Sequence, residues 1–148
     1  MDDDIYGIKK WGDDILEVLD NGNIGLKNPF YPSYPSIDLI KIIESLNERG
    51  INCPVLLRIT DYLAFRIKQI NESFFKAIKE VRYKGYYKGV FPVKVNQQAQ
   101  VIDRIVDFGK EFDFGLEVGS KAELLIALAH YLSIESVSYT HLRAHETP

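Results

Sequence analysis

Cysteine is nearly absent: Cys53 alone excludes an intramolecular disulfide framework and any site built from several thiolates. Histidine is scarce as well, with three in 148 residues. Two of them, His141 and His145, have the i, i+4 spacing that would let a helix hold one metal ion, but both fall in a terminal stretch set aside below. No apolar run approaches the ~20 residues of a membrane-spanning helix. The opening Met1-Asp2-Asp3-Asp4 is acidic where a secretory leader would be basic, so a cytoplasmic location is expected and no membrane partner. Positive charge is not in excess: the net charge is −3, and the 18 Lys and Arg are scattered rather than gathered in a stripe. That argues against a nucleic-acid surface. With 46% hydrophobic and 26% charged residues the chain has the composition of a globular domain with a single core.

The patterning is α/β. Residues 15–19 alternate apolar and polar as a half-buried strand, 20–23 carry turn residues, and 24–26 return as the partner of a β-hairpin. Tyr6 and Trp11 stand among charges in a segment expected to have little order. Residues 28–35, rich in proline and aromatics, read as an irregular linker. Ser36 is the expected N-cap of a helix with Ile37, Ile40, Ile43 and Leu46 on one face, stopped by Gly50. A short strand over 55–59 follows, with Cys53 just before it as a small buried residue. Next comes a long helix with Leu63, Ile67, Ile70, Phe74 and Ile78 in a stripe. Tyr83–Tyr87 read as a packed aromatic loop. Strand 89–95, helix 97–109 (Val101, Ile105 and Phe108 inward), strand 112–118 and a helix from Ser120 to about Tyr131 complete the pattern. Strands alternating with helices argue for βαβ units and a parallel sheet.

Lys94 ends its apolar run just before the amide-rich Asn96-Gln97-Gln98. In a strand, Pro92, Lys94 and Asn96 would share one face. A lysine there is ordinarily a solvated side chain. In an α/β barrel it can instead line the mouth where the chemistry is kept, and apolar surroundings would favour its neutral, nucleophilic amine. Asn96 and Gln97 suit side-chain bonds to their own loop better than substrate contact. Glu117, near the end of the next strand, is either a rim ion-pair partner or a site acid. Ser120 reads first as an N-cap, with Glu123 completing a capping box.

Three blocks carry a resemblance. Gly89-Val90-Phe91-Pro92-Val93-Lys94-Val95-Asn96-Gln97-Gln98 resembles the pyridoxal-phosphate lysine motif of the biosynthetic arginine decarboxylases, enzymes of fold type III with an alanine-racemase-like barrel. Phe112-Asp113-Phe114-Gly115-Leu116-Glu117-Val118-Gly119-Ser120-Lys121-Ala122-Glu123-Leu124 is similar to that family's next strand and helix start, and Cys53-Pro54-Val55-Leu56-Leu57-Arg58-Ile59 to the segment leading into the barrel. The blocks stand in the family's order and cover nearly everything from Trp11 to about Ser136.

The resemblance implies an incomplete (β/α)8 TIM-type barrel over residues 36–136, represented by its first two strand-helix units. Residues 1–35 would hold a hairpin belonging to a separate β-domain. It implies Lys94 as the Schiff-base lysine, both catalytic and cofactor-binding, and Glu117 as an acid near the cofactor ring, in both roles as well. Ser120 is implied as a cofactor contact, Glu123 more weakly as a residue near the site. The implied cofactors are pyridoxal 5'-phosphate and Mg2+, with no metal ligand named. The implied reaction is L-arginine to agmatine and carbon dioxide, on the route to polyamines, in a homo-oligomer. Partners for the pyridine nitrogen, the phosphate and the guanidinium are not among these residues, so the segment is expected to be inactive by itself. Cys53 is not equated with the family's downstream cysteine. The alternatives are a fold type III decarboxylase of diaminopimelate or ornithine, a non-enzymatic pyridoxal-phosphate-binding module, or a module in which Lys94 is structural. Residues 137–148 read as a translated transposon adapter from sequencing-library preparation and are expected to be non-native.

Overall fold

Antiparallel pairing organises the first part of the chain. In the computed structural model, which describes residues 5–132 and 140–142, β1 (Leu16–Val18) pairs with β2 (Ile24–Leu26), so that Leu16 faces Leu26 and Val18 faces Ile24. The connecting turn is closed by Gly22 N–H donating to the Leu19 carbonyl, and Asn21 Oδ1 accepts the Asn23 N–H. A third strand was not expected: β3 (Ile37–Asp38) pairs with the other edge of β2. One helical turn, α1 (Ile8–Trp11), forms where little order was expected, and buries Ile8.

The third strand moves the start of the next helix. Asp38, not Ser36, is the N-cap of α2 (Leu39–Glu48): its carboxylate accepts the N–H groups of Ile40 and Lys41, while the Ser36 hydroxyl donates to Glu17 on β1. Asn21 and Asn23 also donate to the Asp38 carboxylate, at 2.9 Å each, so one side chain ties the hairpin turn to the helix start. With the register moved, Leu39, Ile42, Ile43 and Leu46 are half-buried, whereas Ile37 and Ile40 are exposed. Gly50 does end the helix. At φ 78° it donates to Asn47 O, and Ile51 N–H reaches back to Leu46 O, the paired bonds of a Schellman motif.

Two expectations fail after α2. Residues 55–59 form no strand, and Leu56 and Leu57 are exposed; an apolar run becomes a strand only where another strand supplies ladder bonds. Cys53 is exposed rather than buried.

The chain divides into two compact units, Met1–Asp61 and Tyr62–Pro148. The second is parallel α/β. Helix α3 (Thr60–Glu80) leads to β4 (Val90–Pro92), a 3-10 turn over Val93–Val95, α4 (Ala99–Gly109), β5 (Gly115–Val118), α5 (Lys121–Leu132) and β6 (Thr140–Leu142). The sheet order is β4-β5-β6, with both pairs parallel. β6 was not expected, since it lies in the stretch read as an adapter; residues 137–139 and 143–148, and with them the His141/His145 question, lie outside the described side chains.

The core joins Ile67 of α3, Val93 of the turn, Ile102, Ile105 and Val106 of α4, Leu116 and Val118 of β5, and Ala127 of α5. The α3 stripe is narrower than its spacing suggested. Ile67 is buried, Ile70 and Phe74 are exposed, and Asn71 is fully buried, its Nδ2 donating to Ile67 O at 2.8 Å. Phe74 instead stacks on Tyr87, ring centroids 3.9 Å apart, while Tyr83 and Tyr86 stay exposed. At the entry to the strands, Phe114 lies over Gly89, where an added Cβ would stand 2.2 Å from the ring. Lys88 pairs there with Asp113.

Candidate functional site

Lys94, Glu117 and Ser120 come together at the carboxyl ends of two parallel strands. In β5, Leu116 and Val118 point into the core beneath the helices. Glu117, between them, therefore occupies the opposite sheet face, where it is half-buried. The register puts Phe91 beside Leu116 and Pro92 beside Glu117. The strand proposed for 89–95 ends at Pro92, which has no N–H for a longer ladder. Beyond it the backbone closes a 3-10 turn, with Asn96 N–H donating to Val93 O at 3.2 Å.

Lys94 is thus a turn residue and not a strand residue, and the face it shares with Pro92 in an extended strand does not exist. Val93 anchors the turn by complete burial, and Lys94 and Val95 project outward. The lysine is exposed rather than set in apolar surroundings. Asn96 binds its own loop, accepting the Gln98 N–H at 3.1 Å.

Ser120 and Glu123 form the cap the sequence suggested. Ser120 Oγ accepts the Glu123 N–H at 3.2 Å and donates to Glu123 Oε1 at 3.0 Å. Glu123 Oε2 accepts the Gly119 N–H at 2.9 Å. The carboxylate is buried. The Gly119 N–H holds it below its ordinary value of 4.5; burial opposes this, and the Ser120 hydroxyl and the charge of Lys94 add to the lowering. The spacing of Ser120 and Glu123 announced the cap, but nothing local in the sequence announced that Lys94 acts on it.

Elsewhere, His130 on α5 is half-buried and meets Asp103 on α4. In the hairpin unit a cavity of about 290 Å3 lies among Ile8, Lys9, Leu16, Glu17 and Lys27, and contains none of the candidate residues. Among the described residues no three His, Cys, Asp or Glu side chains cluster to hold a metal ion, so nothing supports the Mg2+ expectation. No described helix is long and apolar enough to cross a membrane.

No protein-family model matches the chain. The biosynthetic arginine decarboxylase of Prochlorococcus marinus strain MIT 9301 is 50% identical over 124 residues, which is 84% of this chain and 19% of that protein. That of Gloeobacter violaceus is 45% identical over 126 residues, 85% of this chain and 19% of that protein. Among solved structures, the biosynthetic arginine decarboxylase SpeA from Campylobacter jejuni superposes with a TM-score of 0.81 at 32% identity, covering 99% of this chain and 23% of that one. The chain therefore spans about a fifth of the length of the curated relatives it matches. Over that stretch it is similar, in sequence and in fold, to the biosynthetic arginine decarboxylases.

Proposed function

We propose that this chain supplies the lysine-bearing start of a pyridoxal-phosphate-dependent decarboxylase that converts L-arginine to agmatine and carbon dioxide in polyamine synthesis. What supports the reading is the placement of Lys94 directly beyond β4, with Glu117 on the adjacent parallel strand, in a chain whose relatives carry that name. The residues present fit the cofactor chemically: an exposed primary amine can meet an aldehyde, and an acid stands at the same end of the sheet. Lys94 would hold the cofactor, with Glu117 as the acid beside it at the same end of the sheet. When bound, pyridoxal phosphate supplies the electron sink for the carbanion left as carbon dioxide departs.

The chain's own residues do the positioning. Val93 fixes the turn and Glu117 places a charge on the free face of the sheet. The Ser120 hydroxyl, committed to Glu123, holds the start of α5 and serves the cofactor through that helix. In this reading β4 and β5 with their helices are the first two units of a (β/α)8 barrel over residues 36–136. Residues 1–35 belong to a separate β-domain, and the complete protein is a cytoplasmic homo-oligomer.

The test uses the complete gene product. Borohydride reduction in the presence of pyridoxal phosphate, followed by peptide mass mapping, should place the adduct on Lys94. Carbon dioxide release should be fastest from arginine in a panel with ornithine and diaminopimelate. Lys94→Ala should lose both adduct and turnover. An adduct elsewhere with full activity would overturn the site. Turnover of ornithine or diaminopimelate alone would overturn the substrate, and an adduct without turnover would leave a binding module.

A further inference from the structure

We infer that Asn96 is a positioning residue for Lys94. Its main chain closes the turn that carries the lysine, and its side chain ties that turn to the start of α4. The inference deepens the decarboxylase reading and rests on it for the use made of Lys94.

Three observations carry it. The first is the clasp itself. Asn96 N–H donates to Val93 O at 3.2 Å, and Lys94 lies inside the loop so closed. The second is the reach of the side chain. Asn96 Oδ1 accepts the N–H of Gln98 at 3.1 Å. Gln98 is the N-cap of α4, and its carbonyl accepts the Val101 and Ile102 amides at 2.9 and 3.1 Å. Asn96 therefore grips the residue on which the helix begins, and α4 is rooted in the core by Ile102, Ile105 and Val106. The third is conformation. Asn96 is extended, at φ −158° and ψ 106°, between the 3-10 turn behind it and the helix ahead. The turn's clasp ends at its N–H and the helix starts beyond Gln98, so the side-chain bond spans the gap between them.

Asparagine commonly bonds the backbone two residues on, as a local turn device. What sets this one apart is what it joins. Val93 seats the near end of the turn by complete burial, and Asn96 links the far end to a core helix. Lys94 sits between the two points, exposed, on a flexible stem with no planar fork to hold it. The direction in which that stem leaves the backbone is set by the turn, and a turn held at both ends narrows the region the amine samples. Orientation of a reacting group is worth large rate factors.

The test compares three variants of the complete protein. Asn96→Ala removes the acceptor, Asn96→Asp keeps it at the same reach, and Asn96→Ser keeps a shorter, neutral one. A cooperative melt in each confines the comparison to folded protein. Asn96→Ala should form the borohydride-trapped Lys94 adduct at least about threefold more slowly than the parent, the scale of one lost hydrogen bond. Its kcat for arginine should fall by a similar factor with KM little changed, and Asp and Ser should each restore most of the trapping rate. An unchanged trapping rate in Asn96→Ala would overturn the inference. Equal losses in all three variants would overturn it as well, by making the amide nitrogen of Asn96 a direct contact of cofactor or substrate. If the parent protein gives no adduct on Lys94, the decarboxylase reading fails instead. Hydrogen exchange then decides the tie alone: the Asn96 and Gln98 amides should lose protection in Asn96→Ala, and unchanged protection would refute it.

Discussion

Pro92 and Glu117 stand opposite one another in the parallel β4–β5 ladder, and the turn carrying Lys94 starts at the next residue, Val93. Proline has no N–H to extend a ladder, so the strand stops where the chain must turn. The lysine, just beyond one strand, and the acid, on its neighbour, thereby fall at one end of the sheet, the end at which α/β barrels keep their reacting groups.

Glu117 carries the first prediction. In the complete protein Glu117→Gln keeps size and hydrogen-bonding capacity but removes the charge. We expect kcat for arginine to fall by about 10²-fold, the scale of losing one preorganised electrostatic contact, with the melting temperature nearly unchanged. An unaltered kcat would return Glu117 to the role of a rim residue.

Asp38 predicts a pH dependence in the hairpin unit. Hydrogen bonds from Asn23, then Asn21, hold its carboxyl below the ordinary value of 3.8, with the Lys41 and Ile40 amides adding to them against burial. A carboxyl depressed by folding contributes stability that is present in full above its unfolded value and is lost as pH falls through the lower folded one. The protection factors of the Ile40 and Lys41 amides should therefore fall only as pH is taken below 3.8. Asp38→Ala should expose those amides at neutral pH and lower the melting temperature by about 5 °C.

Gly89 and Phe114 make a packing prediction. A methyl at Gly89 would overlap the Phe114 ring, at 2.2 Å from Cε2 and 2.4 Å from Cδ2. Gly89→Ala should cost about 1–3 kcal/mol by overpacking. Combining it with Phe114→Leu should cost less than the two changes separately, as chemical denaturation would reveal. Simple additivity would mean that the ring moves aside freely.

Expressed alone, the 148-residue chain should self-associate. Leu56, Val81 and Leu125 are 74%, 73% and 68% exposed, and uncovered apolar surface beside open strand edges promotes association. Light scattering after size exclusion should show mixed oligomers that bind a hydrophobic dye. A monodisperse, cooperatively melting monomer would count against the incomplete-barrel reading.

Much of the local order was legible in the sequence. The hairpin, the long α3, the stop at Gly50 and the alternation of β4, α4, β5 and α5 all follow from periodicity and turn chemistry, which act over a few residues. The misses required information from farther away. Ile37 and Asp38 read as helix, yet β2 had an unpaired edge to recruit them. Residues 55–59 read as a strand on composition alone and form none. At the site, the Ser120–Glu123 cap was visible because its spacing is local. The effect of Lys94 on Glu123 was not, because it depends on how the turn packs against a helix almost thirty positions on. Pro92 was the available signal that Lys94 could not belong to a regular strand.

The 3-10 turn has a further consequence for how this segment can change over time. A lysine within a strand inherits its direction from the pleat, and any re-aiming would disturb every neighbour in the sheet. Lys94 hangs instead from a short loop fastened by one buried valine. Substitutions within the turn can adjust its reach while the ladder beneath, which ends at Pro92, stays untouched, so the scaffold and the reactive group are free to evolve at different rates.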